Sequence, residues 1–140
     1  MNPTGRSVQC VVVTPERAVL DEPVDFVALP LYDGELGVLP GRAPLIGRLG
    51  YGELRTRTGT TTRRFYVDGG FAQVRANVVT VLTPRAIPAE EINREAAAHA
   101  LQEARAHPAT PTAPEALLKA QERARAQLRV AEHQRVQATP

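Results

Sequence analysis

Residues 78–101 read VVTVLTPRAIPAEEINREAAAHAL, and the hydrophobic period changes partway through them. As far as Leu82 the aliphatic residues run almost without interruption, as in a short buried strand. Beyond Pro88, Ala, Glu, Gln and Arg take over from Val, Thr and Gly, and these are strong helix formers. The break at Ile87 and Pro88 is the one composition boundary in the chain, dividing a β unit over residues 1–87 from a helical unit over residues 88–140.

Upstream of the break, short runs rich in Val, Thr and Leu are cut by Gly, Pro and Asp. Strands are predicted at 8–13, 17–21, 24–31, 35–39, 45–49, 52–58, 63–67, 70–75 and 78–82. So many short strands in so short a segment would leave long edges in a flat sheet, so an antiparallel β-sandwich of about ten short strands is expected. Hairpin turns are expected at 57–60, at Asp68-Gly69-Gly70 and at Ala76-Asn77, where residues tolerant of positive φ separate strand-like runs.

Downstream, Ile92, Ala96, Ala97, Ala100, Leu101 and Ala104 recur at helical spacing, while Glu90 and Glu91 suit the positive end of a helix dipole. This predicts a first helix over 89–106. Three prolines in residues 107–114 exclude a helix interior there and mark a connection. A second helix over about 115–137 carries Leu117, Leu118, Gln121, Ala124, Leu128, Ala131 and Val136 along one side. Small alanines on both helices permit close antiparallel packing, so a two-helix hairpin follows the sandwich. With so little apolar surface it needs the sandwich or a partner to hold it.

At 140 residues the chain has room for one compact domain and an appendage. Aromatics make up 4% and Trp is absent, so the core is aliphatic. Seventeen cations against fifteen anions are mixed along the chain, and residues 1–88 lack the basic cluster that nucleic acid binding requires. No run approaches the apolar length of a membrane span, and no signal-type segment follows MNPTGRS, which points to the cytoplasm. Cys10 lies in an apolar strand pattern and reads as a buried structural cysteine. His99, His107 and His133 form no metal-ligand spacing, and neither a nucleophile elbow nor a phosphate loop is present. Neither a metal site nor an active site is expected.

The densest block is DGELGVLPGRAPL at residues 33–45. On composition alone it reads as consecutive tight turns with Leu36, Val38 and Leu39 anchoring the core. Asp33, Glu35 and Arg42 are then displayed on one exposed turn region, where rigid loop charges often meet a partner. The block resembles the GELG-I/V-x-PGHAPL signature of F-type ATP synthase epsilon subunits. FYVDGGF at 65–71, NVVTVL at 77–82 and AQLRVA at 126–131 resemble further motifs of that family in the same order. The resemblance spans about residues 6–136.

The resemblance implies a ten-stranded sandwich that binds the gamma subunit and rests on the polar loops of the membrane c-ring. Asp33, Gly34 and Glu35 match the turn facing the c-ring, and Arg42 stands where the motif has histidine. It also implies a peripheral, non-catalytic rotor subunit of a proton-translocating enzyme, on the cytoplasmic face of the bacterial inner membrane. Its hairpin would restrain ATP hydrolysis by opening transiently toward the alpha/beta catalytic head. Lys119, Arg123, Arg125 and Arg129 match the regulatory helix, whose charges also read as a solvated face. The alternative is an ATP-sensing module, for which some members use an I-D-x-x-R-A motif. Here Asn93 takes the acidic position, Ala96 the arginine position and Gln127 the place of an arginine on the second helix. No cofactor is therefore expected, and ATP binding should be weak or absent.

Overall fold

The computed structural model describes residues 7–106 and 115–138, with side chains to residue 135. Eight strands form one sheet that folds over on itself into a sandwich. They are β1 (Val8–Val13), β2 (Ala18–Val24), β3 (Phe26–Leu31), β4 (Gly34–Val38), β5 (Leu45–Thr58), β6 (Thr61–Arg75), β7 (Val78–Leu82) and β8 (Ala86–Pro88). A 3-10 turn at Ala89–Glu91 leads to α1 (Arg94–Ala106) and α2 (Glu115–Ala138). The sheet order is β2-β1-β7-β6-β5-β3-β4, with β8 also on β6. The prolines expected to join the helices lie outside the described residues.

The strand count falls below the expected ten or so because two pairs of predicted strands are continuous. Residues 45–58 and 61–75 keep one antiparallel register from Leu45↔Val74 to Thr58↔Thr61, interrupted only at Gly50 and Gly69. Asp68-Gly69-Gly70 is therefore not a hairpin turn. Gly69 and Gly70, at φ 78° and 104°, instead bend β6, whose last residues pair with β7 and whose earlier residues pair with β8. Each long strand thereby serves both layers. The true hairpin turns lie at Gly59, whose φ is 60°, and at Ala76-Asn77, with φ of 50° and 62°. One pairing departs from the antiparallel expectation: β1 and β7 run parallel, which is possible because no hairpin joins them.

Alternation along the strands fills a single core from both layers, in which Val8, Val12, Val27, Leu29, Leu54, Phe65, Val67, Val79 and Val81 are fully or almost fully buried. Cys10 belongs to it, opposite Glu22 in the β1–β2 ladder. Burial first, then Glu22 and Asp21, push its thiol from 9.0 up to about 12. Below pH 9.0 the thiol is neutral folded or unfolded; between 9.0 and about 12 only the unfolded chain ionises it, so stability falls across that window. Maleimide at pH 8 is expected to leave Cys10 unlabelled in the native protein and to label it in urea; fast native labelling would show that the strand pattern does not protect it.

The first helix starts later than its composition suggests. Asn93 accepts the Ala96 N–H through Oδ1 at 3.0 Å and the Ala97 N–H through its carbonyl at 3.0 Å, so it is the N-cap. Ala97, Leu101 and Ala104 form its buried face, while Ala96 and Ala100 are exposed. Two faces of α2 are used rather than one. Gln121 donates to the Ala104 carbonyl at 3.0 Å on the α1 side, whereas Ala126 and Val130 pack with Tyr66, Ala89, Tyr51, Ile87 and Ile92 on the sheet side. Leu118, expected inside, is half exposed. The layering is thus sheet, α2, α1.

Candidate functional site

The charges of the Gly-rich block do not share one turn. Residues 32–33 turn between β3 and β4, residues 40–41 turn after β4, and the strand between them spans about 13 Å at 3.3 Å per residue. Asp33 and Gly34 sit at the near end, and Gly34, at φ 141°, takes a conformation that side chains rarely adopt. Glu35 is exposed and reaches Arg55 Nη2 at 3.3 Å. Arg42 lies past the far end, where the Gly41 N–H donates to Asn77 Oδ1 at 2.7 Å and pins the loop to the β6–β7 turn. Because β4 is an edge strand, these residues mark out one long rim.

Sequence reasoning missed the outer face beside this rim. Ile46 is 76% exposed, Phe71 57% and Leu82 54%, with Val78 also exposed. Register places them together, since Phe71 opposes Leu82 and Ile46 opposes Gln73, two residues along β6 from Phe71. Strict alternation was the available signal: with Ala72 and Val74 pointing inward, Phe71 has to point out. Isolated exposed apolar residues are ordinary, but a cross-strand group of large ones is not.

The cations of α2 divide into two groups. Arg123 Nε lies 2.9 Å from Asp68 Oδ1, with its guanidinium 5.1 Å from the Tyr51 ring centre. Tyr66 donates to the same Asp68 oxygen at 2.7 Å. Burial and then that bond push the Tyr66 hydroxyl far above an ordinary phenol, so it remains an O–H donor. Partial burial works against the Arg123 charge and Asp68 outweighs it, leaving the guanidinium more basic than usual. The side chain of Gln127, standing where an arginine was expected, bears on the Tyr66 hydroxyl. Lys119, Arg125 and Arg129 are exposed, Lys119 loosely paired with Glu115 at 3.5 Å. Together with Arg48 and Tyr32 they line an open groove of about 860 Å³ between α2 and the bend of the sheet.

A second polar contact lies further along α2. Glu53, with its side chain 9% exposed, has Oε1 at 3.1 Å from both Arg64 Nε and His133 Nδ1, and Oε2 at 3.5 Å from Arg55 Nη1. Across the helix pair Arg94 Nη2 meets Glu132 Oε2 at 3.0 Å. Among the described residues no group of three or more His, Cys, Asp or Glu side chains is placed to hold a metal, and no helix is long and apolar enough to cross a membrane.

Residues 7–89 match the family model described as the ATP synthase Delta/Epsilon chain, beta-sandwich domain. The chain is 56% identical over 125 residues to an ATP synthase epsilon chain of Rhodopirellula baltica, covering 88% of this chain and 97% of that one. It is 46% identical over 98 residues to one of Carboxydothermus hydrogenoformans, covering 70% of this chain and 73% of that one. In three dimensions it is similar to a chain in the Euglena gracilis mitochondrial ATP synthase, from a structure of OSCP, F1 and c-ring. That match has a TM-score of 0.72 and 29% identity, and it covers 94% of this chain and 81% of that one. A chain of the Tetrahymena thermophila mitochondrial ATP synthase central stalk and c-ring shares the fold at TM-score 0.65 and 14% identity, over 92% of this chain and 96% of that one.

Proposed function

We propose, for a chain that belongs to the ATP synthase delta/epsilon family, the role of a central-stalk rotor subunit that joins the gamma subunit to the c-ring and restrains ATP hydrolysis through its helical unit. The carrying observation is the outward apolar group of Ile46, Phe71 and Leu82 on a rigid sheet. Such a surface suits permanent attachment to a partner, with aromatic anchors supplying most of the binding energy. The gamma subunit is its occupant in this reading. The β4 rim, from Asp33, Gly34 and Glu35 round to Arg42, lies against the c-ring. Exposed ion pairs there contribute only about 0 to 1 kcal/mol each, so area and shape carry the load. The subunit itself has no active site in this reading; it works peripherally, on the cytoplasmic face of a bacterial inner membrane, in a proton-translocating enzyme.

Residues 88–140 act as a separable regulatory unit. While α2 lies on the sheet, Asp68 holds Arg123; on release, Arg123 joins Lys119, Arg125 and Arg129 as a cationic strip able to meet an acidic surface of the catalytic head. In this reading the helices dock without a nucleotide, which Asn93 acting as a cap and Gln127 bearing on Tyr66 support. An ATP-sensing module would instead be stabilised by millimolar ATP in the isolated chain.

The attachment is tested with Phe71→Asp, which leaves the core alternation intact. Binding to the gamma subunit from the same source is expected to weaken by about thirtyfold or more, the scale of one central aromatic anchor. Affinity within twofold of the parent would remove this face from the interface.

A further inference from the structure

Tyr66 and Asp68 stand two residues apart on β6 and present their side chains on one face, while Tyr51 lies directly opposite Asp68 in the β5–β6 ladder. The three surround a single guanidinium. Asp68 Oδ1 accepts from Arg123 Nε at 2.9 Å and from the Tyr66 hydroxyl at 2.7 Å, and the Arg123 guanidinium lies over the Tyr51 ring, 5.1 Å from its centre. Asp68 is placed without help from the helix. Its N–H donates to the Arg85 carbonyl at 3.1 Å and to Thr83 Oγ1 at 3.3 Å, which ties it to the crossing at residues 83–85.

We propose that Tyr51, Tyr66 and Asp68 form a guanidinium-selective socket on the sheet, whose grip on Arg123 sets the register in which α2 docks and how often α2 leaves. Glu53, the other carboxylate that meets α2, has Arg55 and Arg64 on its own sheet whatever the helix does. Asp68 has no such cation. Among the described residues Arg123 is the one within ion-pair reach of it, and Arg123 comes from α2. The Tyr66 hydroxyl gives Asp68 a hydrogen bond but no charge. Docking therefore supplies compensation that the sheet lacks, at a carboxylate whose side chain is only 14% exposed.

Selectivity follows from shape. Nε meets the carboxylate while the planar group covers the Tyr51 ring, an arrangement that an ammonium on a flexible stem does not reproduce. Register follows from spacing. Arg123 and Gln127 are four residues apart on α2, about 6 Å along the helix, and Asp68 and Tyr66 are about 6.6 Å apart along β6. Arg123 thus meets Asp68 where Gln127 meets the Tyr66 hydroxyl. The other cations lining the groove from α2 do not take over: Lys119 pairs with Glu115 of its own helix, and Arg125 and Arg129 meet no carboxylate of the sheet among the described residues. The socket acts on the docked helix alone, whatever surface α2 meets after release.

The test is amide hydrogen exchange of α2 in the full chain, with the β1 and β7 amides reporting on the sandwich. Arg123→Gln and Asp68→Asn are each expected to lower the protection of α2 by about five- to tenfold, the scale of one charge-assisted hydrogen bond to a part-exposed group. Arg123→Lys keeps the charge, yet its protection should lie within about twofold of that of Arg123→Gln. Combining Asp68→Asn with Arg123→Gln should cost no more than about twofold beyond the larger single loss, because both remove one interaction. The β1 and β7 amides should keep parental protection in all four variants, since the larger core contains no α2 residue. Parental protection of α2 in Arg123→Lys would show that the site reads charge alone and would overturn guanidinium selection. A double variant whose loss equals the product of the two single losses, or an Arg123→Gln chain protected like the parent, would overturn the socket itself.

Discussion

Gly70→Ala is expected to destabilise the protein by about 3 to 5 kcal/mol, the range of substitutions that combine backbone strain with a steric collision. Gly70 sits at φ 104°, and a Cβ built there collides with the Leu82 carbonyl oxygen and comes within 2.9 Å of Thr83 Cα. Both obstacles are backbone, so no side-chain rotation relieves them. The site is where β6 stops pairing with β7 and begins pairing with β8, which brings residues 82–83 tightly across the bend. The Thr83 hydroxyl, bonded to the Asp68 N–H at 3.3 Å and the Arg85 carbonyl at 3.1 Å, fixes that crossing. Thermal unfolding should move down by roughly 10 to 20 °C for a chain of this size. Gly34→Ala is the matched control: its φ is also positive at 141°, but nothing lies within 4 Å of the added Cβ, so strain alone acts. If Gly70→Ala melts no lower than Gly34→Ala, the collision has been relieved and the account of the bend is wrong.

Val130→Asp separates the two units. Val130 is 1% exposed between Tyr66 and Ala126 in the smaller core that joins α2 to the sheet. A carboxylate placed there without a partner costs several kcal/mol, and lifting the helix into water relieves the whole penalty. The larger core contains no α2 residue, since its members run from Val8 to Val81 with Ala86 packed against them. Exchange protection of α2 should therefore fall at least a hundredfold while that of β1 and β7 stays within about threefold of the parent. In the assembled enzyme the same substitution tests the regulatory reading, because ATP hydrolysis should change while gamma binding persists. Collapse of both cores together would show that residues 88–140 are not a separable unit.

Much of this was readable from residue order. The period change around Ile87 and Pro88 announced the passage from strands to helices because strand and helix periods differ strongly, and the Ala76-Asn77 turn was visible because few residues accept positive φ. Long-range pairing was less visible. Asp68-Gly69-Gly70 carries the same local signal as a hairpin turn, and only the partners of β6 on either side show that it bends one strand. The cap at Asn93 was present in the sequence but masked by the helix-forming Glu90 and Glu91 before it.

The candidate site divides in the same way. Asp33, Gly34, Glu35 and Arg42 were read as one turn region, although the strand predicted over 35–39 already stood between Asp33 and Arg42. Arg123 was picked out as a cation, whereas its partner Asp68 lies 55 residues earlier, and His133 meets Glu53 across 80 residues. What the sequence determined by itself was local: which segments extend, which coil, and which side of each is apolar, because these follow from neighbours one to four positions apart. Tertiary structure alone decided which layer each half of a bent strand joins, which face of α2 meets the sheet, and which charges find each other. Those outcomes depend on contacts between distant segments, whose energies exist only after the chain has closed upon itself.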